Sequence, residues 1–159
     1  MAAPTEAEAF AVLAYLDAGR WHVEALPDVV TEELDALIAA VSQQPEASCA
    51  LGLVDVADEF FVAARARRGA VRLLLSDVTA ALDWDLAAQV LDHLDLDLPH
   101  DDDAEVEPAG DLDLFDDLGL DALEVEELLS DLDAYADEML TSLAQRLGFG
   151  RAYERVVGP

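Results

Sequence analysis

Lysine and asparagine are both missing from the 159 residues, cysteine occurs once (Cys49), and all eight basic side chains are arginines, set against 36 aspartates and glutamates. Without lysine there is no Schiff-base chemistry and no phosphate-binding lysine of a P-loop. A single cysteine excludes an intrachain disulfide framework and a cysteine-based zinc site, and it fits a reducing compartment. Long hydrophobic runs are missing too. The apolar stretch from Phe10 to Leu16 follows Glu6 and Glu8 and ends at Asp17, so it lacks the cationic flank and the length of a signal peptide. Nothing approaches the roughly 20 apolar residues of a membrane span. The expectation is a cytoplasmic protein that makes no membrane contact.

What is present is enough to build a core. Apolar residues make up 53% of the chain. A formal charge of -28 would suggest disorder, but disorder also needs low hydrophobicity, and here Leu, Val, Ala and Phe recur with clear periodicity. The charge therefore belongs on a folded surface or in a local linker.

The segments "AFAVLAYL" and "WHVEALP" flank the turn "DAGR" and predict a β-hairpin over residues 9–27. "TEELDALIAAVSQQ" follows, with Thr31 as N-cap, Leu34, Leu37, Ile38 and Val41 at helical spacing, and Pro45 as the stop. Residues 49–56, 59–66 and 70–75 predict three antiparallel strands. Ser76 or Asp77 then caps a second helix carrying Val78, Leu82, Leu86, Val90, Leu91 and Leu94 on one side. The order ββαβββα is that of an α+β fold, an antiparallel sheet with helices on one face. The apolar period lapses over residues 99–110, "PHDDDAEVEPAG", which has the composition of a solvated acidic linker. The expected division is a sheet domain at 1–98, this linker, and a helical section at 111–159. That section is too small to bury a core alone, so it should pack on the sheet domain or on a partner. Its last helix should end at Gly148.

The acids are unevenly spread. Residues 1–80 hold 13 acids and five arginines, 81–133 hold 20 acids and no arginine, and 134–159 hold three of each. A solvated face is one explanation. The sharper one is electrostatic docking to a basic surface, with Asp101, Asp102, Asp103, Glu105, Glu107, Asp111, Asp113, Asp116 and Asp117 as the partner-binding acids. Such a charge repels nucleic acid, so direct tRNA or DNA binding is not expected. Arg65, Arg67, Arg68 and Arg72 form a counter-patch on consecutive strands and their turn. It reads as an answer to the protein's own carboxylates, in cis or across a homodimer, more readily than as an anion site.

Motifs for specific chemistry fail one by one. An EF-hand starting at Asp111 would meet Phe115 at its fifth position and Ala122 at its twelfth. "GFGRAY" has Tyr153 where a dinucleotide loop needs its third glycine, and it reads as a helix stop. His22 and Glu24 match the H-x-E half of a zinc deaminase, but the P-C-x-x-C half is absent, leaving plain strand alternation. No G-x-S-x-G or H-E-x-x-H occurs, His93 and His100 stand alone, and no catalytic residue, metal or cofactor is expected.

The stretches "FAVLAYLDAGRWHVEAL", "VRLLLSDVTAALDWDLAAQVLDHL", "PAGDLDLFDDLGLDALEVEELL" and "LAQRLGFGRAYERVV" together resemble the tRNA adenosine deaminase-associated protein family of high-GC Gram-positive bacteria. The most specific elements are "LLLSD" and "GDLDLFDDLGL". The resemblance carries over no catalytic residues. It implies an association with a tRNA-specific adenosine deaminase; together with the charge and the missing motifs, the expectation is a non-catalytic accessory whose partner is that deaminase or another basic protein. The alternative is a small enzyme or ligand-binding domain with its pocket between the sheet and the C-terminal helices.

Overall fold

The computed structural model describes residues 9–43, 49–67, 70–99, 105–131 and 134–157. Six strands form one antiparallel sheet: β1 (Phe10–Asp17), β2 (Arg20–Ala25), β3 (Cys49–Val56), β4 (Phe60–Arg67), β5 (Ala70–Leu75) and β6 (Ala109–Gly110). Their spatial order is β2-β1-β3-β4-β5-β6. Ala18 and Gly19 both take positive φ between β1 and β2, the backbone of a tight hairpin turn whose twist matches the strands it joins.

The inner strands are apolar on both faces, which decides the architecture. In β1, Ala11 and Leu13 point one way and Val12 and Ala14 the other, and all four are buried. In β4 the same alternation sends Phe60, Val62 and Ala64 to one face and Phe61 and Ala63 to the other. A sheet patterned in this way must be covered twice. The first face carries α1 (Leu34–Ser42) and α2 (Asp85–His93), with Leu37, Val41, Leu86, Val90 and Leu91 inward. The second face carries α3 (Ala122–Leu129), α4 (Ala136–Leu147) and α5 (Gly150–Val157). The space between sheet and C-terminal helices is filled by side chains, including Phe61, Phe115, Phe149 and Tyr153, each no more than 2% exposed. Among the described residues no helix is long and apolar enough to cross a membrane.

The α+β class and the ββαβββα order of the front half stand as the pattern predicts. Four local features differ. Thr31 does not cap α1. It closes a 3-10 turn (Asp28–Thr31) by donating from Oγ1 to the Asp28 carbonyl, and α1 starts three residues later. The acceptor for the Leu34 N–H is Oε1 of Gln89 on α2, at 2.9 Å, while Nε2 of Gln89 donates to the Glu32 carbonyl at 2.9 Å. One glutamine thus ties the starts of both helices together, a cap that sequence windows do not reveal because its two halves lie 55 residues apart. The second predicted helix is two pieces, a 3-10 turn (Val78–Leu82) capped by Asp77 and then α2. Ala109 and Gly110, at the end of the expected linker, form the edge strand β6. The helix predicted to end at Gly148 does so, with Gly148 at φ 108°, but it is not the last, and the chain continues into α5.

Two glycines are required by contact. A Cβ on Gly52 would lie 2.6 Å from Cδ1 of Leu37 and 2.9 Å from Cγ1 of Val41, so its absence lets α1 lie directly on β3. Gly110 has φ +102°, and a Cβ there would sit 2.2 Å from the Leu73 carbonyl oxygen, backbone that cannot swing away. Gly110→Ala is therefore expected to unpair β6 from β5 and to cost about 2 kcal/mol. A denaturant midpoint unchanged from wild type would show that the edge pairing contributes nothing.

Candidate functional site

β4 and β5 each place an arginine on the face that the C-terminal helices cover, and the two are direct cross-strand partners, Arg65 opposite Arg72. Like charges in that position repel. The chain after β6 answers them. Arg65, 4% exposed, donates from Nη1 to the Leu114 carbonyl at 2.8 Å and grips Asp117 with both Nη atoms, at 2.6 and 2.9 Å. Arg72, half-buried, donates from Nε to Asp111 at 2.9 Å and from Nη2 to Asp113 at 2.7 Å. Its guanidinium is held above its ordinary pKa, chiefly by the hydrogen bond to Asp111. A two-pronged arginine–carboxylate grip fixes position as well as charge, and here it lays residues 111–117 across the sheet.

The acids singled out in the sequence therefore fall into distinct groups. Asp111, Asp113 and Asp117 are engaged with arginines of the same chain. Glu105, Glu107 and Asp116 are exposed and make no salt bridge among the described residues. Asp101, Asp102, Asp103 and Arg68, with the side chain of Arg67, lie outside the described residues. α3 continues the acidic edge. Asp121 and Glu124 form a reciprocal capping box, and Glu126 and Glu127 face solvent. His22 and Glu24 are exposed on β2, with His22 stacked on Tyr15 at 5.1 Å.

A second cluster was not legible in the sequence. Asp55, at the end of β3, is completely buried on the face covered by α4 and α5. Its Oδ1 accepts from the Asp58 N–H at 2.9 Å, but its Oδ2 and the Tyr153 hydroxyl, both buried, have no hydrogen-bond partner among the described residues. Burial first, then the hydrogen bond and charge of Asp58, push the Asp55 carboxyl up to about 8. Tyr153 is raised by burial and then by the Asp55 charge, and Asp137 on α4 by desolvation and then by Asp58. Burial with no cation beside it thus favours the protonated form of the Asp55 carboxyl. The turn it braces is strained, since Ala57 and Asp58 have φ of 54° and 59°, each costing an L-residue about 1 kcal/mol. The Asp58 carbonyl in turn accepts from the N–H of Ala136, at the first residue of α4. The β3–β4 turn, the buried acid and the start of α4 form one connected unit. An aspartate within an apolar strand run was the available signal, but its meaning depended on a helical layer that strand periodicity cannot place.

Comparison with known proteins supplies a relationship. The chain matches the family model described as Rv3753c-like tRNA adenosine deaminase-associated protein over residues 9–150. It is 38% identical over 152 residues to Protein Rv3753c of Mycobacterium tuberculosis, covering 94% of this chain and 88% of that one. No solved structure matches.

Replacing the buried guanidinium should be far costlier than replacing the half-exposed one. Arg65→Leu strands the Leu114 carbonyl and frees residues 111–117, with an expected loss of about 3 kcal/mol, whereas Arg72→Leu should cost under about 1 kcal/mol. Equal losses in chemical denaturation would contradict this ranking.

Asp55 makes stability fall as pH rises. Below 3.8 its carboxyl is protonated in both folded and unfolded chains. Between 3.8 and about 8 the unfolded chain releases the proton and the folded one keeps it, so roughly 1 kcal/mol is lost per pH unit. Asp55→Asn keeps the acceptor for Asp58 and removes the titration. Its melting temperature should exceed that of wild type at pH 8, and the gap should narrow toward pH 4. Melting curves that stay parallel over this range would show that Asp55 is ionised when folded.

Proposed function

The chain belongs to the Rv3753c-like tRNA adenosine deaminase-associated protein family, and from that premise we propose that it is a non-catalytic accessory that docks its acidic edge onto a basic surface of a tRNA-specific adenosine deaminase. The observation that carries this reading is what remains after the internal pairing. With Arg65 and Arg72 paired to Asp111, Asp113 and Asp117, the acids Glu105, Glu107, Asp116, Glu126 and Glu127 are exposed and make no salt bridge among the described residues. The sequence places no arginine between Arg72 and Arg146 to offset them. An enzyme that binds tRNA needs a cationic face, and opposite charge of this density speeds and orients encounter with such a face. The accessory would then meet the deaminase where tRNA does, or beside it.

The docking acids differ from the structural ones. Glu105→Gln/Glu107→Gln/Asp116→Asn leaves both arginine clamps intact, so its fold should be unchanged. Its affinity for the purified deaminase should fall by roughly tenfold, and wild-type binding should weaken steeply with added salt, because exposed charge is screened within about 8 Å at physiological ionic strength. Calorimetry at low salt that detects no complex, or a complex indifferent to both the substitutions and the salt, would refute the reading.

A further inference from the structure

The edge of the sheet at β2 gathers three arginines, although Glu24 on β2 and Glu154 on α5 are exposed there too. Arg20 opens β2, and Arg151 and Arg155 lie one turn apart on α5, which packs against β2. All three are exposed, and none makes a salt bridge among the described residues. Asp17, the cross-strand partner of Arg20, makes none with it either. The side chain of Arg155 reaches back along the helix, its Nε 3.4 Å from the Arg151 carbonyl, so the two guanidinium groups share one side of α5. Between α5 and the β1–β2 turn these arginines line an open groove of about 590 Å³ whose floor includes Trp21 and Phe149, packed at 4.8 Å.

No carboxylate lines this groove. In a chain with 36 acids that is informative, because clefts of about 670, 230 and 430 Å³ elsewhere are each rimmed by carboxylates: Glu32, Glu33 and Asp85 in the first, Asp58, Glu59, Asp77 and Asp131 in the second, Glu127, Asp131 and Glu138 in the third. Arg65 and Arg72 are consumed by internal pairs, whereas Arg20, Arg151 and Arg155 are left facing outward around one concavity.

We propose that this groove is the docking site for a carboxylate-bearing segment of a partner protein. Guanidinium forks match carboxylates two bonds at a time, and the apolar floor suits the side chains between them. A nucleic acid strand that reached all three arginines would carry its regular charges onward into a body of net charge -28. A second copy of this chain would bring the same large charge with it. A protein segment can present a few carboxylates and be neutral or basic elsewhere. The inference is independent of the acidic-edge docking, since it concerns the opposite sheet edge and needs no deaminase to test.

The test is a titration of ¹⁵N-labelled full-length protein at low ionic strength with four probes. These are a short acetylated and amidated peptide bearing several glutamates, its glutamine counterpart, inorganic phosphate, and a short single-stranded RNA. The glutamate peptide should shift the amides of Gly19, Gly148 and Gly150, the Trp21 indole N–H and the arginine side-chain signals. Arg151→Gln/Arg155→Gln should weaken it by roughly tenfold. If that variant is unfolded by its own spectrum, Arg20→Gln is read instead, with loss of affinity again expected. Equal shifts with the glutamine peptide, tighter binding of RNA or phosphate than of the glutamate peptide, or undiminished binding by the folded variant would each overturn the proposal. Failure of the acidic edge to bind the deaminase would leave these shifts untouched.

Discussion

A guanidinium placed among buried apolar side chains must find a counter-charge, and Arg65 imposes that constraint on the rest of the molecule. It is 4% exposed and sits directly across from Arg72 on the neighbouring strand. Removing such a charge from water costs several kcal/mol unless it is paired and fully hydrogen-bonded. Residues 111–117 supply the counter-charges, with Asp117 and the Leu114 carbonyl on Arg65 and with Asp111 and Asp113 on Arg72. The consequence is architectural. Once this segment is laid across the sheet, Leu114 and Phe115 enter the second core layer and the chain is aimed so that α3, α4 and α5 close over it. Electrostatics here selects where an apolar layer begins, and burial of that layer then supplies most of the stabilisation.

The same face holds a second buried ionisable group with the opposite solution. Asp55 has no cation beside it, and it is accommodated by holding a proton. Its bond to Asp58 steadies a turn of two left-handed residues, and that turn receives the first N–H of α4. The two ends of the C-terminal layer are therefore anchored by different chemistry: an ion pair near the β5 edge, and a neutral acid with strained backbone at the β3–β4 turn.

Some of this was legible from the residues. The short apolar runs in "FAVLAYL" and "EFFVAARA", bounded by turn residues, specified strands, and the apolar spacing in "ELDALIAAV" specified a helix, because run length and period follow from backbone geometry. The double coverage was also latent there, since both phases of the alternation are apolar. The tie made by Gln89 was not legible, nor was α5, whose glycines read as a terminus. The acids looked like a uniform run, but the bonds that sort them span 39 residues for Arg72 to Asp111 and 52 for Arg65 to Asp117.

Residue order alone establishes an antiparallel α+β fold, a strong and lopsided negative charge, family membership, and the want of lysine chemistry, of an intrachain disulfide and of a cysteine-based zinc site. Short-range geometry and composition are sufficient for each. Tertiary structure decides which carboxylates are structural and which face outward, and that three arginines share an unpaired groove. Charge pairing depends on distance and dielectric between side chains, and neither is a function of separation along the chain.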